Sequence, residues 1–197
     1  MKYIDIPNNN GGSSDKGIPW QDPQEEETSN DDPITISNSG LVIISHYIPM
    51  LFERLMLTKG QQFINKKAQY QALFCLQYLV THSSAAPEYQ LPLNKVLCGV
   101  DLAEPVPEDM PLPEGAEVIL DGLMHSVIQH WKALGNTSIQ GLQTTFMQRE
   151  GRLTDTTQNW HLAVAPGTFD MLLDQLPWSF QTIKHPWMDK PLFVIWR

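Results

Sequence analysis

The sequence predicts an α+β fold: a compact, mainly helical N-terminal half, a small antiparallel β region near the C-terminus, and a disordered acidic arm ahead of both. Three observations predict it. From Leu120 to Leu134 the residues Leu120, Leu123, Met124, Val127, Ile128, Trp131 and Leu134 recur at three- and four-residue steps, so they share one face of a helix. Beyond Gly151 the period drops to two, with Trp160, Leu162 and Val164 alternating with His161, Ala163 and Ala165, as in a half-buried strand. Charge is segregated as well. Asp5, Asp15, Asp22, Glu25, Glu26, Glu27, Asp31 and Asp32 stand against Lys2 and Lys16, which puts −6 of the net −9 in residues 1–35. The chain therefore divides into an arm, residues 1–33, and a single domain, residues 34–197. A domain of about 160 residues buries roughly 70% of its unfolded surface, enough for a real core.

The arm carries NNNGGSS, an EEE run and Pro7, Pro19, Pro23 and Pro33, with too little apolar side chain to offset the entropy of ordering it. Such a segment is a solubilising tail, or a tether that orders against a basic partner surface with Trp20 as its anchor.

In the domain, Ile34 and Ile36 alternate with Thr35 and Ser37 as a short strand does. Leu41–Ile44 is apolar throughout, so its period fits a buried strand or a buried helix equally. Pro49 suits the first turn of a helix carrying Leu51, Phe52 and Leu55, which Gly60 is expected to end. Asn65 is placed to cap a helix running to about Val80, whose wide apolar sector implies burial on more than one side. A shorter helix follows around Leu91–Leu97, closed by Gly99. Pro105, Pro107, Pro111 and Pro113 then enforce an extended connector. It leads into the long helix, with Glu114 and Glu117 at the positive end of the dipole and Gly135 as the stop. Thr137 or Ser138 caps the next helix, which carries Ile139, Leu142, Phe146 and Met147. DTTQN has turn composition, predicting a hairpin between strands around Leu153 and Trp160. Thr168 is expected to cap a short helix, and Ser179–Lys184 and Leu192–Trp196 to be extended. The last segment is apolar on both faces, so it is either central in the sheet or covered by a neighbouring protein.

The composition excludes several function classes. A net charge of −9 argues against nucleic acid, whose binding needs clustered Lys and Arg. The longest apolar stretch, near Leu41–Met56, is broken by Pro49, Glu53 and Arg54 and falls short of the about 20 apolar residues of a membrane span. Cys75 and Cys98 read as small buried hydrophobes in a reducing compartment, and MKYIDIPNNN lacks the apolar core of a secretion signal. No catalytic, cofactor-binding or metal-ligating set is expected: there is no Walker loop, GxSxG elbow, HExxH or CxxC. Asp121 and His125 are one turn apart but lie off the apolar stripe, which reads as a solvated pair. His161 and His185 have no visible partner.

Six tryptophans invite a protein-binding reading, since Trp is enriched at interface hot spots. Trp131 and Trp160 sit at core positions of their elements. Trp178, Pro186, Trp187, Met188 and Trp196, in loop-like or terminal settings, are the candidate partner-binding residues. On that reading Trp187→Ala weakens assembly and leaves thermal unfolding nearly unchanged.

The run NTSIQGLQTTFMQREGRL, then NWHLAVAPGTFDMLLDQLPW, IKHPWM and LFVIW, resembles the contractile injection system tape measure family, whose members belong to phage-tail-like particles. NSGLVIISHYIPMLFERL, LFCLQYLVTH and LPLNKVLCGVDL are similar to that family's earlier motifs in the same order, so the resemblance spans roughly Ile34 to Trp196. It implies a non-enzymatic structural component, oligomeric in the particle, assembled in the cytoplasm and carried in a particle released outside the cell. The implied partners are the inner tube, the baseplate hub or spike, and the terminator cap. The family name implies a ruler, yet 197 residues wholly helical span only about 30 nm at about 1.5 Å per residue. An anchoring or adaptor domain that helps set tube length is the expectation; the alternative is a soluble, chaperone-like adaptor for a tail component or cargo.

Overall fold

A computed structural model describes residues 32–197. The expected arm, with Trp20, lies outside the described residues except for Asp32 and Pro33. Strand β1 (Ile34–Ile36) opens the described chain, followed by a nine-residue 3-10 helix, Ser39–Tyr47, and helix α1 (Ile48–Arg54). A small hairpin, β2 (Thr58–Lys59) and β3 (Gln62–Phe63), leads to α2 (Lys66–Thr81). After α3 (Pro92–Leu97) come the Pro-rich connector, α4 (Ala116–His130) and α5 (Ile139–Leu142), which widens into a π-helical turn at Gln143–Met147. Strands β4 (Gly151–Asp155), β5 (Trp160–Val164), β6 (Thr182–Ile183) and β7 (Leu192–Ile195) complete the chain.

The α+β class holds, but its β part differs from the expected antiparallel region. One five-stranded sheet runs in the order β1-β4-β5-β7-β6, and β7 pairs parallel with β5, Leu162 opposite Val194. The sheet is therefore mixed. The helices occupy the middle of the chain, because β1, the first described element, crosses to pair with β4 at the sheet edge. β7 lies between β5 and β6, so its backbone is paired on both sides and it is not an edge strand. Leu192 and Val194 point into the core, while Phe193 packs on His161 with ring centroids 5.7 Å apart and Ile195 stays 62% exposed on the outer face.

The core is continuous from α1 to β7. At its centre Leu41, Val42, Ile43 and Ile44 are fully buried in the 3-10 helix, a length unusual for that geometry and one that resolves the ambiguous apolar run. Gly40 lets the π turn approach: a Cβ there would lie 1.8 Å from the Phe146 carbonyl oxygen. α2 is buried on more than one side by its own chain, packing on α3, α4 and the π turn. Asn65 caps it as expected, Oδ1 accepting from the Ala68 N–H at 2.8 Å. Ser138 Oγ accepts from the Gly141 N–H at 3.0 Å, while Thr137 Oγ1 donates to the Leu134 carbonyl.

Several boundaries differ from expectation; α4 breaks at Trp131, and a separate 3-10 turn, Lys132–Leu134, carries the chain to the expected stop at Gly135. α1 stops at Arg54, because Met56 turns left-handed (φ 56°) so that Leu55 and Leu57 can both enter the core; Gly60 serves the β2–β3 turn instead. α4 starts at Ala116 after Gly115 (φ 72°), so Glu117 is in its first turn and Glu114 precedes it. Thr168 caps nothing. The Asp170 carboxylate, at the start of a 3-10 turn, accepts the Gly167 N–H at 2.7 Å.

Candidate docking site

The candidate tryptophans occupy three separate seats. Trp178 is half-buried beside the central 3-10 helix: its indole N–H donates to the Ile43 carbonyl at 2.7 Å, and its ring meets Tyr47 edge-on at 5.1 Å. Trp187 is half-buried over the end of α3, donating to the Leu97 carbonyl at 2.8 Å and packing on Phe63 and Phe52 at 5.0 and 5.5 Å. Gly99 (φ 64°) makes that seat possible, since a Cβ there would come within 2.1 Å of the Trp187 carbonyl oxygen. Pro186 is exposed, whereas Met188 is buried and its sulfur accepts the His185 N–H at 3.2 Å. Trp196 is buried at the third seat, its N–H donating to Asp170 Oδ2 at 3.0 Å.

These geometries redirect the expectation for Trp187. With its N–H satisfied inside the chain and its ring against two phenylalanines, Trp187→Ala is expected to lower unfolding stability by about 2 kcal/mol, below the ~3–5 of a fully buried aromatic. Urea titration of the variant checks this, and an unchanged midpoint would contradict the seat described above.

His185 in the same loop is buried, and burial lowers its pKa from 6.5 to about 4. The unfolded chain thus takes up this proton first as pH falls. Its contribution is complete above about pH 6.5 and is lost on descent toward about pH 4, by about 3 kcal/mol in all. His185→Gln is expected to flatten that part of the stability–pH curve; a curve parallel to the parent's would refute the assignment. Cys75 and Cys98 are buried free thiols, and burial pushes Cys75 up to about 12, as befits inert core residues.

Beside Trp178 the surface opens into an apolar groove of about 410 Å³ between α1 and α4. Tyr47, Met50 and Leu51 form one wall, and Val118, Ile119 and Leu123 the other. Met50 and Val118 are 58% and 79% exposed, an unusual cost for apolar side chains on neighbouring helices. Tyr47 closes one end, its hydroxyl 3.3 Å from His130 Nδ1, and burial raises its pKa. Periodicity missed this groove. The available signal was Val118, an apolar residue off the buried stripe of α4.

The expected surface pair Asp121 and His125 does not converge. Asp121 Oδ1 faces His82 Nε2 at 3.3 Å, while His125 Nδ1 lies 2.9 Å from the Asp121 backbone oxygen. Among the described residues no group of three or more His, Cys, Asp or Glu could hold a metal ion, and no helix is long and apolar enough to cross a membrane.

The described residues thus form a packed α+β body with an open apolar groove on its helical side. The model of the contractile injection system tape measure protein matches residues 5–196, and the chain belongs to that family. It is thus a tape measure protein of a contractile injection system, a structural component. No curated protein and no solved structure matches it.

Proposed function

We propose that this chain is an anchoring or adaptor unit of the contractile particle, docking on the inner tube, the baseplate hub or spike, or the terminator cap, and so helping to set tube length. One observation carries this reading: the described residues form a packed body with Met50 and Val118 exposed beside an open groove, in a family of structural components. A body of this kind suits a fixed station at one place on a tube. The groove beside Trp178 takes the main contact, from a protein of the same particle. Pro186 and the outward edge of Trp187 add a second contact, with Met188 holding that surface from within, while Trp196 at its own seat steadies the turn at Asp170.

Val118→Asp tests the reading, because a substitution at so exposed a site leaves folding stability within about 0.5 kcal/mol. Particles assembled with the variant are expected to lose the chain. Cross-linking mass spectrometry of parent particles is expected to join Lys132, two residues after the groove-lining His130, to a tube, hub or cap protein. Normal incorporation of the variant, or cross-links confined to the chain itself, would refute it.

A further inference from the structure

A second pocket, of about 420 Å³, lies where β1 ends against the C-terminus of α2, and it points to a guest of opposite character. Its lining is mostly polar residues and, among the described residues, holds no Lys or Arg: it includes Asn38, Gln77, Gln148 and Glu150, with Val80 and Thr81 from the last turn of α2. Asn38 is only 3% exposed, and its Oδ1 is buried without a hydrogen-bond partner among the described residues. The orientation of that amide is fixed by its neighbours. Asn94 Nδ2 donates to the Leu73 carbonyl at 3.0 Å, which turns Asn94 Oδ1 toward Asn38 Nδ2 at 2.7 Å and leaves Asn38 Oδ1 as the acceptor. A buried acceptor without a donor costs about 1–3 kcal/mol, so it is poised to gain from a donating guest.

The surroundings repeat the same sign. The C-terminal end of a helix carries about half a negative charge, and α2 has no basic residue in its last turn. The π turn stacks residues five apart, so Gln143 and Gln148 both reach back to that end, donating to the Leu79 and Val80 carbonyls at 2.9 and 2.8 Å. Gln148 thereby keeps its carbonyl end for another partner. Glu150 is exposed and makes no ion pair among the described residues. Arg149, its neighbour in sequence, turns away to the Thr145 carbonyl and Asp170.

From the unpartnered Asn38 acceptor, the α2 C-terminus and the Glu150 carboxylate we infer that this pocket seats an arginine side chain of a protein partner. The acceptors are several and spread apart, which suits the five donors of a planar guanidinium better than the compact charge of an ammonium. Gln77, whose Oε1 lies 3.5 Å from Asn94 Nδ2, keeps an amide donor for a carbonyl of the same guest.

The test uses the isotopically labelled full chain in solution and so is independent of particle assembly. N-acetyl-arginine methylamide is expected to shift the side-chain amide resonances of Asn38, Gln77 and Gln148 in a saturable way, and Glu150→Gln to weaken that binding about two- to fivefold, the range of an exposed ion pair. Shifts that never saturate, equal binding of the citrulline or lysine analogue, or an affinity unchanged by Glu150→Gln would each overturn the assignment.

Discussion

Lys95→Ala is expected to lower unfolding stability by about 2–5 kcal/mol, because it removes a buried stem and leaves two carbonyls without their charged donor. The Lys95 side chain is 2% exposed, and Nζ reaches Glu88 Oε1 at 2.5 Å and the carbonyls of Leu102 and Glu104 at 3.0 and 2.7 Å. One ammonium therefore fastens the start of the Pro-rich connector to α3. The connector has almost no regular backbone pairing of its own, a single bridge between Ala85 and Asp109 and the Ala86 N–H to Glu108 carbonyl bond being its links to the preceding loop. Removing the amine strands two carbonyls that prolines nearby cannot replace with N–H donors. Lys95→Met keeps most of the stem volume, so any loss it shows reports the ammonium alone. Glu88 is about half exposed, and Glu88→Gln is expected to cost under about 1 kcal/mol. Chemical denaturation of the three variants checks the ranking. A Lys95→Ala loss no larger than that of Glu88→Gln would show that the connector is held by other means.

Asp170→Ala is expected to be comparably severe, about 3–5 kcal/mol, because it leaves a half-buried guanidinium without its counter-charge. Asp170 is nearly fully buried. Its Oδ2 accepts the Trp196 indole N–H and the Gly167 N–H, and its Oδ1 lies 3.3 Å from Arg149 Nη2. Arg149 in turn sits 5.7 Å from the Trp196 ring, and Arg197 donates to the Asp170 backbone oxygen at 3.2 Å. This one carboxylate ties the residue after β7 to the turn before β4. The variant should lose the near-ultraviolet dichroism of Trp196 at lower denaturant concentration than the parent; Asp170→Asn, which keeps the shape and one acceptor, should fall between. A midpoint for Asp170→Ala within experimental error of the parent's would contradict the node.

Both nodes mark where sequence reasoning stops. Local signals were legible: the Asn65 and Ser138 caps, the α4 stripe and the β4–β5 hairpin each depend on residues within a turn or two of one another. Tertiary pairings were not. Nothing in the alternation of β7 says that it pairs parallel with β5 across some thirty residues, or that β1 lies on β4. Lysine and aspartate usually sit at the surface, and their burial here is set by carbonyls and an indole that arrive from distant elements. The tryptophans show the same limit. A Pro-Trp pair in a loop reads as exposed, yet Trp187 fills the space that Gly99 leaves open and Trp196 caps Asp170. The groove between α1 and α4 depends on which sides of two helices face each other, which no single helix reveals.

A tape measure family member that acts as a packed body should be stationed at one place on the particle. Electron cryomicroscopy of assembled particles carrying the chain tests it most directly. The expected image is a discrete density of this α+β shape at one axial position, against the tube, hub or cap, with its α1–α4 groove occupied by a neighbour; density from this chain drawn out along the length of the tube lumen would rule that station out.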